Sequence, residues 1–275
     1  ELRGMYEPFL IALAERFLFE LPNIVPAELT PDNWQRSAWM RRTPGIAQLH
    51  WIPDLQHRAL PQNFGRRDRL RRDLGYRRLT RQAQLVVVSS EAVLRDAAAA
   101  YRAARPKLRV LHFTTVISSL EDDDVASRYE IPRDYILLAN QFWAHKNHAT
   151  ALAALERLSL PVVCTGEAVD HRRPGYAEAL VETAQREHVD RLRVLGVVPR
   201  DDYLRLVRGA RLVLQPSLYE GWSSIVEDAR AFGRPIALSD IPVHREQHPD
   251  HGHYFAPQDP ASLAEAVERA AADGG

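Results

Sequence analysis

The 275 residues suffice for two domains that each bury a core, and 36 lysines and arginines balance 36 aspartates and glutamates. That balance argues against a nucleic-acid binder, whose affinity for a phosphate backbone needs a basic surface, and suits a small or neutral substrate. The single cysteine, Cys164, excludes a disulfide within the chain and points to a reducing compartment, and without a signal peptide or long apolar span the expected location is the cytoplasm.

Residues 6–21 combine Phe, Leu and Ile around Glu15 and Arg16 and read as a well-buried helix. Residues 46–51 read as a strand, with Asp54 and His57 just beyond its end. The run that starts at Arg66 and ends at Arg81 is crowded with arginine and opposed only by Asp68 and Asp73. Its default reading is a solvated helix. The sharper alternative is a patch that meets anionic lipid head groups at the inner face of a membrane, or a phosphorylated acceptor. Two further strands, 85–88 and 108–112, flank a helix over 91–104. The acidic run 121–124, with Pro132 soon after, makes the best boundary and divides the chain into domains 1–122 and 123–275.

Beyond Pro132, strands at 135–139, 162–165, 192–195, 212–215 and 236–238 alternate with helices at 148–158, 176–188, 201–207 and after Ser224, and a last helix covers 261–272. This order predicts an α/β fold with a parallel, doubly wound sheet. Cys164 stands in one of its apolar runs and reads as a core residue. A chain that begins at Glu1 and ends at Gly275 reads as part of a longer protein.

Two stretches carry chemistry. The first, 139–148, places Lys146 between a strand end and a helix start capped by Asn147, where a cation neutralises a diphosphate. The second, 212–240, runs strand, polar loop, helix, strand. Ile225, Val226, Ala229 and Phe232 share one helix face, and Gly233 stops the helix. Ser224 and Glu227 have the spacing of a capping box. The amides of Ser223, Ser224 and Ile225 open the helix and suit a phosphate. His244, His248, His251 and His253 lack a convincing metal-ligand spacing, and the acidic run lies in a linker, so no metal site is expected.

These residues resemble the sugar-nucleotide half of family 4 retaining glycosyltransferases with the GT-B fold, two Rossmann-like domains facing a cleft. The family's signature is a glutamate, seven residues and a second glutamate. Glu220, followed by Gly221, matches the first, and Asp228 stands at the second position. Upstream, the family's Gly-Arg-Leu, three residues, Lys-Gly is matched at Lys146, while Gln141 replaces the arginine and Asn147 the glycine. Gly166 and Gly196 stand at intervening strand ends as in the family. The match is specific over roughly 108–268 and looser upstream, so the N-terminal domain is expected to be incomplete.

By resemblance, Glu220 binds donor-sugar hydroxyls and Asp228 the ribose, while Lys146 and the helix amides hold the leaving diphosphate. Gln141, Asn147 and Gly166 line the donor site, and Asp54 or His57 stands near the acceptor. A hexose would pass from a nucleoside-diphosphate sugar, with no metal or other cofactor, to a glycan or lipid-linked glycan in bacterial polysaccharide or glycoconjugate synthesis. His57 reads equally as a satisfied core histidine. The rival readings are a silent sugar-nucleotide-binding module and an epimerase or hydrolase on the same fold.

Overall fold

The computed structural model describes residues 49–117, 120–188 and 190–273. The helix expected over 6–21 and the start of the strand expected over 46–51 lie outside these residues. The chain forms two compact units, which divide between Thr114 and Thr115, with Glu220–Trp222 belonging to the first.

In the first unit, strands β1 (Leu49–Ile52), β2 (Leu85–Val88) and β3 (Leu108–Val110) pair in parallel in that order. Between β1 and β2 run the short helix α1 (Gln56–Ala59) and the 17-residue α2 (Arg66–Gln82), and α3 (Glu91–Ala100) leads to β3. The helix expected over 91–104 ends at Ala100, and a 3-10 turn holding Pro106 follows, since proline cannot donate to a continuing α-helix. Ser90 caps α3 by accepting the Val93 amide at 3.1 Å.

The second unit holds six parallel strands: β4 (Ile136–Ala139), β5 (Val162–Thr165), β6 (Leu192–Val194), β7 (Leu212–Gln215), β8 (Ile236–Ser239) and β9 (Gly252–Phe255). Their spatial order is β6-β5-β4-β7-β8-β9. Its helices are α4 (Val125–Arg128), α5 (His148–Ala153), α6 (Tyr176–Glu187), α7 (Arg200–Gly209), α8 (Ser224–Ala231), α9 (Pro242–Gln247) and α10 (Pro260–Asp273). Helices cover both faces, so the central strands are apolar at nearly every position. Ile136, Leu138, Cys164, Leu212 and Leu214 pack toward α5, α6 and α10, whereas Leu137, Val163, Val213, Ile236 and Leu238 pack toward α4, α7 and α8. Burial within this core pushes the Cys164 thiol up to about 12.

The acidic run is consumed locally. Asp124 caps α4 by accepting the Ser127 amide at 3.1 Å, Asp122 pairs with Arg208 at 3.0 Å, and Asp123 pairs with Arg128. Strand β9 and helix α9 escape the sequence reading. The strand is a half-buried edge reading Gly-His-Tyr-Phe, and the helix is six residues long with proline in its first turn. The strand order reverses between β4 and β7, where open parallel sheets leave a crevice at the strand ends.

Candidate donor-binding site

The segments after β4 and β7 are bound to each other. The Leu218 amide donates to the His145 carbonyl at 2.8 Å, and Asn147 Nδ2 donates to the Pro216 carbonyl at 3.0 Å. Lys146, between them, is thereby held beside the loop that leads into α8. Asn147 has φ 57° and ψ 37°, the left-handed region that favours glycine and that asparagine tolerates. This conformation explains why asparagine can stand where the family pattern has glycine. Asn147 does not cap α5 through an amide; its side-chain oxygen accepts the Thr150 hydroxyl at 2.9 Å.

A buried chain of amides and hydroxyls joins the strand ends to the start of α8. Asn140 Nδ2 donates to Gln215 Oε1 at 2.6 Å, and Gln215 Nε2 donates to Ser223 Oγ at 2.8 Å. His148 stacks on Phe142 at 4.0 Å, and burial, with the nearby Lys146 charge a lesser cause, pushes its pKa down to about 3. Gln141 is committed to its own loop, where its Oε1 accepts the Glu167 amide at 2.8 Å. Gly166 sits at φ +117°, and a Cβ there would meet the Asn140 carbonyl oxygen at 2.3 Å. Only glycine lets the ends of β4 and β5 approach this closely.

The expected capping box at Ser224 and Glu227 is absent. The cap residue is Ser223, and no side chain bonds a helix amide from that position. Glu227, 2% exposed, instead accepts Arg230 Nη1 at 2.9 Å and Gln247 Nε2 at 2.9 Å. A charge-assisted bond to a guanidinium outcompetes one to a neutral amide. Gln247, at the end of α9, closes the helix start from outside: its Oε1 accepts the Ser223 amide at 3.2 Å, and its Nε2 also donates to the Ser223 carbonyl at 2.9 Å. One of the three amides expected to meet a phosphate is therefore engaged. The amides of Ser224 and Ile225 lie in the first turn, which leaves them without an intrahelical partner.

Asp228 is fully enclosed, at 0% exposure. Thr115 Oγ1 donates to it at 2.6 Å, Tyr203 OH at 2.5 Å, and Arg200 through both terminal nitrogens at 3.1 and 3.3 Å. A carboxylate offers about four lone-pair positions, so these donors fill it. Arg200 itself remains 47% exposed, and its guanidinium lies over the Tyr203 ring. Gln247, Arg200, Tyr203 and Thr115 carry no motif, and nothing in the sequence marks them out.

In the first unit, a Cβ on Gly221 would meet the Pro53 carbonyl oxygen at 2.0 Å and Asp54 Cβ at 3.3 Å. The segment holding Glu220 therefore lies against Asp54. Trp222 anchors it by stacking on His112 at 4.2 Å and donating to the Phe113 carbonyl at 2.9 Å. Asp54 accepts the Gln56 amide at 2.9 Å. His57 is withdrawn into the core: it is 2% exposed, packed on Phe64 and Tyr76, with Nε2 at 3.1 Å from Asp73. Burial lowers its pKa in spite of that carboxylate. This placement is that of a satisfied core histidine. Among the described residues, no three His, Cys, Asp or Glu side chains gather as metal ligands.

Residues 133–273, just over half of the chain, match the family model described as Glycosyl transferases group 1. The chain belongs to the group 1 glycosyltransferases. No curated protein matches its sequence. Among solved structures, this group 1 glycosyltransferase resembles sucrose-phosphate synthase from Thermosynechococcus elongatus, with TM-score 0.71 and 22% identity over 87% of this chain and 63% of that one. It also resembles Anabaena HepE in complex with UDP-glucose, with TM-score 0.72 and 16% identity over 89% of this chain and 70% of that one. A third likeness is WaaG, a glycosyltransferase involved in lipopolysaccharide biosynthesis, with TM-score 0.63 and 16% identity over 85% and 68%. These structures establish the GT-B fold for the group 1 chain, which spans less than two thirds of the synthase's length.

Proposed function

We propose that the second unit binds a nucleoside-diphosphate sugar, and that the enzyme transfers its hexosyl group to an acceptor hydroxyl with retained anomeric configuration, as family 4 enzymes do. The observation that carries this reading is the pair of hydrogen bonds flanking Lys146, which bring the family's lysine to the loop preceding α8, at the reversal of strand order. The bond from the anomeric carbon to the diphosphate breaks as the bond to the acceptor oxygen forms, and the acceptor hydroxyl's proton passes to the departing diphosphate oxygen. Charge grows on the leaving diphosphate, where Lys146 and the Ser224 and Ile225 amides are assigned to stabilise it.

Glu220 orients the sugar hydroxyls. Asp54, beside Gly221, is assigned the acceptor side in preference to the buried His57. A ribose on Asp228 requires exchange, and half-exposed Arg200 is the donor placed to give way. The expected acceptor is a glycan or lipid-linked glycan of bacterial polysaccharide or glycoconjugate synthesis, and no step is assigned to a metal. The engagement of Gln141 with Glu167 and the filling of Asp228 favour one rival, a module that binds sugar nucleotides without transfer. Thermal unfolding with a panel of nucleotide sugars, followed by a donor-turnover assay, separates these readings. Stabilisation with turnover supports transfer, stabilisation alone supports the silent module, and no stabilisation defeats both.

A further inference from the structure

Helix α2 presents a face that is exposed among the described residues and to which the donor site assigns no role. At about 100° per residue, Arg66, Arg77, Leu70, Arg81, Leu74 and Arg67 follow one another around a single arc of the helix. Leu70 is 62% exposed and Leu74 54% exposed, and the four arginines are exposed as well. Both leucines therefore sit inside a fringe of guanidinium groups. The buried Tyr76, Leu79 and Thr80 lie outside this arc.

Asp68 lies off this arc, Asp73 borders it beside Arg66, and both are engaged. Asp68 accepts Arg72 Nε at 3.1 Å. Asp73 gathers Arg58, Tyr101 and His57. Burial would raise the Asp73 pKa, but those donors outweigh it and hold it below the usual carboxylate range. The exposed arc thus has an apolar centre and a positive rim, and the carboxylate at its edge, Asp73, is already paired with Arg58 at 2.7 Å.

We propose that this face of α2 docks on an anionic lipid bilayer, with Leu70 and Leu74 in the head-group boundary and Arg66, Arg67, Arg77 and Arg81 on lipid phosphates. A helix of this length lying flat spans about 25 Å. Leucines in the middle of a basic face enter the boundary region, and long arginine stems let the guanidinium groups reach back to phosphate oxygens. A protein partner fits less well, because such interfaces centre on aromatic anchors, and this arc has none. The docking is independent of the donor reading, since no residue assigned to the donor takes part.

Co-sedimentation of the full chain with vesicles of phosphatidylcholine alone, and of phosphatidylcholine mixed equally with phosphatidylglycerol, tests the proposal. The chain should bind the mixed vesicles and not the neutral ones, and added salt should weaken binding. Each of Arg66→Gln, Arg67→Gln, Arg77→Gln and Arg81→Gln should lower partitioning about fivefold. Leu70→Ser with Leu74→Ser should lower it at least tenfold, with thermal unfolding and donor binding unchanged. Equal binding to both vesicle types, no binding to either, or full binding by the double leucine variant overturns the proposal. Retention of an acidic protein without vesicle binding likewise overturns it.

Discussion

Replacing Asp228 with alanine should destabilise the second unit before it does anything else. The carboxylate is wholly buried, and four donor contacts converge on it from Thr115, Tyr203 and Arg200. Breaking a buried ion pair costs about 3–5 kcal/mol. Arg200 is 47% exposed and can be rehydrated, which places Asp228→Ala near the lower end, at about 3 kcal/mol. Tyr203→Phe removes one hydrogen bond to a charged acceptor and should cost about 2 kcal/mol. Arg200→Ala lets water reach the carboxylate, while Tyr203 and Thr115 still donate, and should cost about 1 kcal/mol. Chemical denaturation of the four proteins gives this ranking directly. Nucleoside-diphosphate titration on the same samples gives the second half of the test. If Asp228→Ala loses less than about 1 kcal/mol while nucleotide affinity collapses, the enclosed carboxylate is a ligand contact first and the reasoning from filled lone pairs is refuted.

Gly166→Ala combines a left-handed backbone with a Cβ placed 2.3 Å from the Asn140 carbonyl oxygen; it should cost more than about 3 kcal/mol in a melting or denaturant assay, and near-normal stability would contradict the close approach. His148 titrates near 3 in the folded chain against an ordinary 6.5, so the unfolded chain takes the proton first. Stability is full above pH 6.5 and falls as pH drops below it, by roughly 1.4 kcal/mol per pH unit per proton. His148→Leu should remove one proton's worth of that slope, measured above the ordinary aspartate value of 3.8, where His57 and His50 add shifts of the same sign. Gln247→Ala frees the Ser223 amide and removes one donor from Glu227; it should raise the donor KM several-fold with kcat less affected, and Gln247→Glu should not rescue it, because Glu227 needs an N–H donor.

The central sheet was legible because strands buried on both faces leave unbroken apolar runs, such as the Leu-Val-Leu of β7 and the Val-Val-Cys of β5. Edge strand β9 was not, because half-exposed Gly-His-Tyr-Phe carries neither an apolar run nor alternation. At the site, Lys146 stands beside the loop preceding α8, as its place after a strand end led one to expect, whereas Glu220 and Gly166 were named from the family resemblance. The enclosure of Asp228 was not, since Thr115, Arg200 and Tyr203 reach it from distant parts of the chain. The capping box failed for a related reason: its spacing was right, but the Arg230 guanidinium offered Glu227 a stronger partner than an amide, and Gln247 a second donor. His57 shows that the end of a strand is no guarantee of exposure, as α2 supplies the Asp73 that holds it in the core.

The most direct measurement is sugar-transfer turnover of Lys146→Ala in the full-length enzyme, taken together with donor affinity. Lys146 is held between two backbone-anchored neighbours at the loop preceding α8 and is assigned to the charge that develops on the departing diphosphate. Turnover should fall by roughly a hundredfold or more, as it does when one oriented stabiliser of a developing charge is lost. Glu220→Gln should lower turnover and donor selectivity while leaving affinity for the free nucleoside diphosphate nearly intact. Near-normal turnover of Lys146→Ala in an enzyme that does transfer sugar would contradict the account.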